Sequence, residues 1–116
     1  MKISILLPYK ENFSELYAGA VSLFVKDTTL ISEYKNFITI YGNTELKKIY
    51  KLNYKNILLK RNVIQSSSKN YVNEFLKHQK DDPSDIIEIH NRPAYVDQIY
   101  DELNSKIVLY FHNDPL

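Results

Sequence analysis

Two histidines and an arginine stand out among the side chains that could do chemistry. His90 and His112 each end a short apolar run, and each is followed at once by an asparagine. Imidazoles exchange protons near neutral pH, and a guanidinium can bind an anionic group. We therefore take the polar residues at these two places as candidate ligand-binding side chains: His90, Asn91, Arg92, His112, Asn113 and Asp114.

For the two histidines and Arg92 the sequence leaves alternative interpretations open. His90 could be a strand-end histidine bonded to nearby backbone, whereas His112, followed by polar residues, is expected to meet solvent or a ligand. Arg92 precedes a predicted helix, where a positive charge opposes the helix dipole. It either points into solvent or helps the helix end to hold an anion. A metal shared by His90, His112 and Asp114 is the least favoured alternative, and we expect no metal.

Several well-known sites are absent from the sequence. There is no cysteine, which excludes disulfides, zinc–thiolate sites and cysteine nucleophiles. Residues 9–14 follow the first apolar run and lack a GxGxxG pattern, so a nicotinamide-dependent dehydrogenase is not favoured. The chain also has no P-loop and no GxSxG nucleophile elbow. The first run is followed by Pro8, Tyr9 and Lys10, without the acidic residues of a response-regulator receiver.

The elements that would position the candidate residues are short apolar runs separated by helical patterns. We predict strands at residues 3–8, 37–41, 85–90 and 106–112, and helices at about residues 16–28, 66–79 and 93–103. Serines open the second helix, and Pro93 opens the third. In the middle of the chain we predict a short helix at residues 44–50 and a brief edge strand at residues 57–59.

Strands that alternate with helices predict an α/β, Rossmann-like, doubly wound parallel sheet of about five strands. Helices should cover both faces, which gives three layers. Ligands of such sheets bind beyond the carboxyl ends of the strands, near the point where strand order reverses. If the order is 3-2-1-4-5, the strand of His90 lies beside the first strand and that of His112 lies next outward. Neighbouring strands are about 4.8 Å apart, so both histidines should open into one cleft.

Length and charge limit the possible classes of protein. The 116 residues suffice for one compact domain, which we place at residues 1–116. The net charge of +1 does not favour nucleic-acid binding. A basic stretch in the middle is either a solvated face or a contact for phosphate or a membrane surface: Lys47, Lys48, Lys51, Lys55, Lys60 and Arg61. No apolar run reaches the roughly 20 residues of a membrane span, so we expect a cytoplasmic protein, with possible peripheral membrane contact.

Four segments together resemble the N-terminal domain of GT-B-fold glycosyltransferases. The similarity is to the retaining, nucleotide-sugar-dependent family called glycosyl transferases group 1. The segments are KISILLP at residues 2–8, YAGAVSLF at residues 17–24, DIIEIHNRP at residues 85–93 and IVLYFHNDP at residues 107–115. The resemblance spans the whole chain, but its middle third carries no motif.

The resemblance implies a role for individual residues. The family usually has a Gly-Gly pair at the start of the first helix, where the backbone approaches the nucleotide diphosphate. Ala18 and Gly19 stand there, so Gly19 is the expected close-approach residue. His112 matches the family's histidine that contacts the donor sugar near the reacting carbon, and we take it as catalytic. His90 and Arg92 match the end of the fourth strand, which lines the acceptor cleft in such enzymes.

The resemblance therefore implies the acceptor-side half of a glycosyltransferase without a bound cofactor. Such enzymes use no metal, and positive side chains and helix dipoles stabilise the leaving diphosphate. Those cations lie on the family's C-terminal, donor-binding domain, which this chain lacks, so the chain alone is expected to be inactive. The expected partners are a nucleotide-sugar donor and a saccharide or lipid-linked acceptor of cell-surface polysaccharide or lipopolysaccharide synthesis. The alternatives are a free-standing α/β module that binds a ligand without catalysis, and a nucleotide-binding domain of another enzyme.

Overall fold

The computed structural model describes residues 1–59 and 66–112 and confirms the predicted α/β, Rossmann-like fold. The elements in chain order are β1 (Ile3–Leu6), α1 (Ala20–Ile31), a short 3₁₀ helix (Lys35–Phe37), β2 (Ile38–Gly42), β3 (Tyr54–Asn56), α2 (Ser67–Asp81), β4 (Ile86–His90), α3 (Pro93–Ile99) and β5 (Lys106–Tyr110). The five strands form one sheet with the order β3-β2-β1-β4-β5, and every pairing is parallel.

Helices pack on both faces of the sheet and bury its central strands on both sides. All residues of β1 and β2 are buried, as parallel strands require. On one face, α1 packs with Val21 and Val25 against odd-numbered residues of β1 and even-numbered residues of β2. On the other face, α2 and α3 build the larger core. The side chains of that core are Leu6, Tyr41, Ile57, Tyr71, Val72, Phe75, Leu76, Ile87, Ile89, Tyr95 and Ile99.

The face that α1 covers is protected over only part of its width. On β5, Val108 and Tyr110 point to this face and each is 39% exposed. The intervening residues Ile107 and Leu109 point the other way and pack against the larger core. The two histidines therefore lie where a covered part of the sheet meets an open part.

The ends of the helices show the predicted capping residues, with shifted boundaries. The hydroxyl of Ser66 accepts a hydrogen bond from the backbone N–H of Lys69, which confirms the serine cap of α2. Pro93 lies in the first turn of α3, as predicted, but this helix ends at Ile99 rather than at residue 103. The first helix begins at Ala20, later than predicted, because a long loop occupies the residues before it.

The predictions for residues 44–50 and 57–59 were wrong. Residues 44–50 form no helix. They instead run beside the loop after β1, where Ser14 and Ile49 form an antiparallel bridge and Glu15 N–H donates to the Lys48 carbonyl at 2.9 Å. The third strand is Tyr54–Asn56, just before the predicted position. Side-chain bonds hold it in place, because the Asn56 amide oxygen accepts from the backbone N–H of Thr44 at 2.7 Å.

Candidate functional site

The carboxyl ends of β4 and β5 bring the two candidate histidines together. His90 is the last residue of β4 and pairs in register with Tyr110, the last residue of β5. His112 follows two residues later, and its Nε2 lies 2.6 Å from Nδ1 of His90. The expectation that both rings open into a cleft needs one correction. His90 is 0% exposed, because the neighbouring rings cover it, and only His112 is partly exposed.

A third side chain extends this contact into a line of three titratable groups. Glu88 lies two residues before His90, on the same face of β4, because side chains alternate along a strand. Its Oε1 lies 2.6 Å from Nε2 of His90. The Glu88 side chain is 30% exposed, so the line runs from a half-buried carboxylate through a buried imidazole to a partly exposed one. Such an arrangement can move or fix a proton along its length.

Aromatic rings fix the orientation of both histidines. Tyr110 stacks on His90, with ring centroids 5.2 Å apart and an interplanar angle of 23°. Phe24 of α1 meets His112 edge-on, at 4.8 Å and 83°. The same phenyl ring lies 5.0 Å from the ring of Tyr110. A helix on one side and a strand on the other therefore hold the imidazoles in place.

Burial lowers the pKa of His112 below its ordinary value. Desolvation is the main cause, and the charge of His90 acts in the same direction. The carboxylates of Glu11 and Glu88 oppose this shift but do not cancel it. His112 is therefore mostly neutral near pH 7, which is the form that can accept a proton or a hydrogen bond.

Asn91 and Arg92 have different relations to the histidine pair. Asn91 has a φ of 54°, a left-handed conformation that asparagine tolerates better than most residues. Its side-chain oxygen accepts the backbone N–H of His112 at 2.8 Å, so Asn91 holds the segment after β5 in place. Arg92 is exposed, and its guanidinium donates to the carbonyl of Asn91 at 2.8 Å. In this position the arginine faces solvent beside a helix of seven residues.

The first helix, α1, begins near the same site, and a carboxylate of the chain itself occupies its N-terminus. Oε1 of Glu11 accepts the backbone N–H of Ser22 at 3.1 Å. A methyl group added at Gly19 would lie 2.1 Å from that oxygen, so the absence of a side chain there makes room for Glu11. The resemblance to glycosyltransferases implied that a nucleotide diphosphate approaches Gly19, next to Ala18. In this structure the group that approaches Gly19 is Glu11.

Two of the predicted site residues, Asn113 and Asp114, lie outside the described residues.

The described residues offer no site for the metal alternative. Within residues 1–59 and 66–112, no group of three histidine or acidic side chains is placed to hold a metal ion. The facing nitrogens of His90 and His112 are directed at each other at hydrogen-bonding distance, so no metal ion fits between them.

Besides Tyr110, whose strand was predicted but not its stacking on His90, three residues of the site were not predicted from the sequence. Glu88 had a usable signal, because a residue two positions before a strand-end histidine shares its face. Phe24 had a weaker one, since its place on the helix was predicted but not its contact with the strand ends. Glu11 had none. Its contact depends on the path of the loop between β1 and α1.

The described lysines of the basic stretch are all exposed: Lys47, Lys48, Lys51 and Lys55. Among them, Lys55 lies over the ring of Tyr41, with its Nζ 5.9 Å from the ring centroid. Lys60 and Arg61 lie outside the described residues. Among the described helices, none is both long and apolar enough to cross a membrane.

Comparison with known proteins adds no relative to this picture. No protein-family model, no curated protein and no solved structure matches the chain. The case for a function therefore depends on the residues and their geometry.

Proposed function

We propose that the chain is the N-terminal, acceptor-side domain of a GT-B-fold glycosyltransferase. In this proposal the whole enzyme transfers a sugar from a nucleotide-sugar donor to a saccharide or lipid-linked acceptor. The observation that carries it is the placement of His112. Its ring lies beyond the end of β5, against α1 and beside the end of β4. Ligands of doubly wound sheets bind at this edge, and the family that the sequence resembles has its donor-sugar histidine at this point of the chain.

The proposed roles follow from the positions of the side chains. His112 is the partly exposed member of the histidine pair, so it is the one that can touch the donor sugar. Asn91 positions the backbone of His112. Arg92, exposed between the end of β4 and the start of α3, would meet the acceptor. The N-terminus of α1, just after Ala18 and Gly19, would meet the diphosphate after Glu11 moves away.

One observation favours a second candidate, a ligand-binding α/β module without catalysis. The N-terminus of α1 already holds the carboxylate of Glu11, which satisfies a backbone N–H that a phosphate would otherwise bind. If that carboxylate stays in place during ligand binding, no diphosphate can occupy the end of the helix. Binding of a neutral ligand without transfer would then be the function.

The deciding experiment uses the protein encoded by the full open reading frame that contains this chain. Purified protein is incubated with UDP-, GDP- and ADP-sugars, and release of the nucleoside diphosphate is measured with and without saccharide acceptors. We expect one nucleotide series to support turnover and His112→Ala to reduce it by about 100-fold, as loss of a preorganised site group usually does. His78→Ala serves as a control, because His78 lies on α2, on the other face of the sheet.

Two outcomes would contradict the proposal. An open reading frame that ends at Leu116, with no second α/β domain, would exclude the enzyme and leave the binding module. Unchanged turnover in the His112→Ala protein would remove His112 from the site.

The biological setting belongs to the same proposal. Synthesis of cell-surface polysaccharide or lipopolysaccharide at the cytoplasmic side of a membrane would suit a lipid-linked acceptor. The exposed lysines of the basic stretch support contact with an anionic surface. Sedimentation of the full-length protein with phosphatidylglycerol vesicles, but not with phosphatidylcholine vesicles, would test this part separately.

A further inference from the structure

We propose that Glu88 is a positioning residue that fixes the protons of the histidine pair, so that Nδ1 of His112 accepts a hydrogen bond from a hydroxyl group of the ligand. This inference deepens the proposed function, because it names the chemical group that the site recognises. It is carried by three features of the described residues: two contacts of 2.6 Å in series, the complete burial of the central ring, and a terminal ring that is partly exposed.

The contact between the two imidazoles requires that they share one proton. Nδ1 of His90 and Nε2 of His112 are 2.6 Å apart, which is a hydrogen-bonding distance. Two bare nitrogens would repel each other there, and two N–H groups would place their hydrogens in contact. One nitrogen therefore carries a hydrogen and the other accepts it.

Glu88 decides which nitrogen carries that proton. An ionised carboxylate can only accept hydrogen bonds, so Nε2 of His90 must carry a hydrogen directed at Glu88. In neutral His90 the other nitrogen, Nδ1, is then an acceptor. Nε2 of His112 must donate to it, which leaves Nδ1 of His112 as an unprotonated acceptor. The chain of constraints thus starts at Glu88 and ends at Nδ1 of His112, on the partly exposed ring.

This assignment defines the ligand group that His112 can bind. Nδ1 of His112 makes no hydrogen bond to another group within the described parts of the chain. As an acceptor it pairs with a hydroxyl, such as one on a sugar ring, and not with a phosphate or carboxylate oxygen. One added proton reverses this preference, because Nδ1 of His112 would then donate. A second added proton would place two N–H groups face to face, so the pair takes up one proton at most.

The other titratable groups around His112 do not change this assignment. Glu11, on the loop before α1, and Glu88, on β4, are both acidic and raise the pKa of His112. Tyr110, on β5, contacts both histidines through its ring. The nearest α1 side chain, Phe24, is apolar.

The test reads the ring protons directly by nuclear magnetic resonance, on the 116-residue chain labelled with ¹⁵N and ¹³C. Long-range ¹H–¹⁵N correlations distinguish a protonated ring nitrogen from a bare one. At about pH 8, above the ordinary histidine pKa of about 6.5, we expect the proton on Nε2 in both His90 and His112. A proton on Nδ1 of His112 at this pH would overturn the proposal.

Substitution of Glu88 tests whether this residue sets the pattern. In Glu88→Gln the amide can donate as well as accept, so His90 loses its fixed tautomer and His112 should show a mixture of both forms. The pKa of His112 should also fall further, because a carboxylate that raises it has gone. Glu74→Gln is the matched control, since the Glu74 side chain is also 30% exposed but lies on α2. Identical His112 spectra in wild-type and Glu88→Gln chains would contradict the role of Glu88.

The outcome is separable from that of the proposed function. The ring tautomers are measured without donor or acceptor, so a negative result here leaves sugar transfer untouched. Conversely, a full-length protein with the predicted tautomers and no transfer activity would contradict only the proposed glycosyltransferase activity. If Glu88→Gln does not fold, the wild-type tautomers still decide the proposal.

Discussion

At the residue scale, Glu11 acts as the cap that α1 lacks in its own sequence. Gly19, the N-cap residue, has no side chain, and the Glu11 carboxylate takes the Ser22 N–H instead. We expect Glu11→Ala to lower the free energy of unfolding by about 1 kcal/mol, the usual loss for a removed N-cap. Gly19→Ala should cost a similar amount, because its methyl group displaces the carboxylate. Urea unfolding of both variants measures these losses.

The double variant identifies the shared cause. If both changes act by removing the same contact, Glu11→Ala with Gly19→Ala should cost little more than either alone, since coupled residues are not additive. Glu15→Ala, an exposed residue of the same loop, should have almost no effect. Losses that add up in the double variant would show that Gly19 and Glu11 act independently.

At the element scale, a buried amide ties the C-terminal part of α2 to the sheet. Gln79 is 0% exposed, donates to the Ser4 hydroxyl at 3.0 Å and accepts the Ser84 backbone N–H at 3.0 Å. Gln79→Leu fills a similar volume but leaves that N–H unpaired, so we expect a loss of about 2 kcal/mol in the free energy of unfolding. Urea midpoints at an unchanged slope measure it.

A matched glutamine gives the comparison. Gln98 on α3 is only partly buried, and it donates to the Lys69 carbonyl at 3.1 Å and to the Asn73 side-chain oxygen at 2.9 Å. Water reaches this side chain more easily than that of Gln79 and can replace its exposed bond to Lys69. Gln98→Leu should therefore cost less than about 1 kcal/mol. Equal losses in the two variants would mean that burial of the Gln79 amide is not what stabilises this corner of the sheet.

The elements that the sequence predicted are those whose own residues determine them. The four apolar runs became β1, β2, β4 and β5 because burial on both faces requires such runs. The third strand, Tyr54–Asn56, has no apolar pattern and is held by side chains such as Asn56 that bond to another loop. The helix prediction for residues 44–50 failed for a similar reason. Their conformation depends on the pairing of Ile49 with Ser14, which is a contact between distant segments of the chain.

The same distinction applies to the site. The places of His90 and His112 at strand ends follow from the sequence pattern. Their closeness depends also on the strand order, which was only assumed from the sequence and which the structure shows. The burial of His90 does not follow from the pattern, since it depends on the rings of Tyr110 and Phe24 that pack over it. Glu11 reaches Gly19 only through the path of its loop. Contacts made by tertiary packing were thus the ones that the sequence did not predict.

At the scale of the whole molecule, incomplete cover of one sheet face places His112 between solvent and core. On this face α1 reaches the ring of His112 through Phe24, but Tyr110 beside it is still 39% exposed. The ring is therefore desolvated enough to lower its pKa and exposed enough to titrate. Folding and protonation of this residue oppose each other, which makes the stability of the fold depend on pH.

The sign of that dependence follows from the direction of the shift. The unfolded chain holds His112 at its ordinary pKa of 6.5, and the folded chain holds it lower. Between these two values the unfolded state binds more protons, so stability rises with pH in this window. Stability is lost as pH falls from 6.5 through the lower folded pKa, and the loss is complete below it. The lowered pKa of Asp82, caused by its bond to Lys2, adds a separate loss only below about 3.8.

Unfolding in urea at a series of pH values tests this expectation. The wild-type free energy of unfolding should decrease from about pH 7 to about pH 5, and His112→Gln should flatten that slope because glutamine does not titrate. His78→Gln, on the opposite face of the sheet, should keep the wild-type slope. Parallel curves for wild-type and His112→Gln would show that His112 does not link protonation to folding. A flattened curve would identify this histidine as the group whose proton uptake opposes the fold.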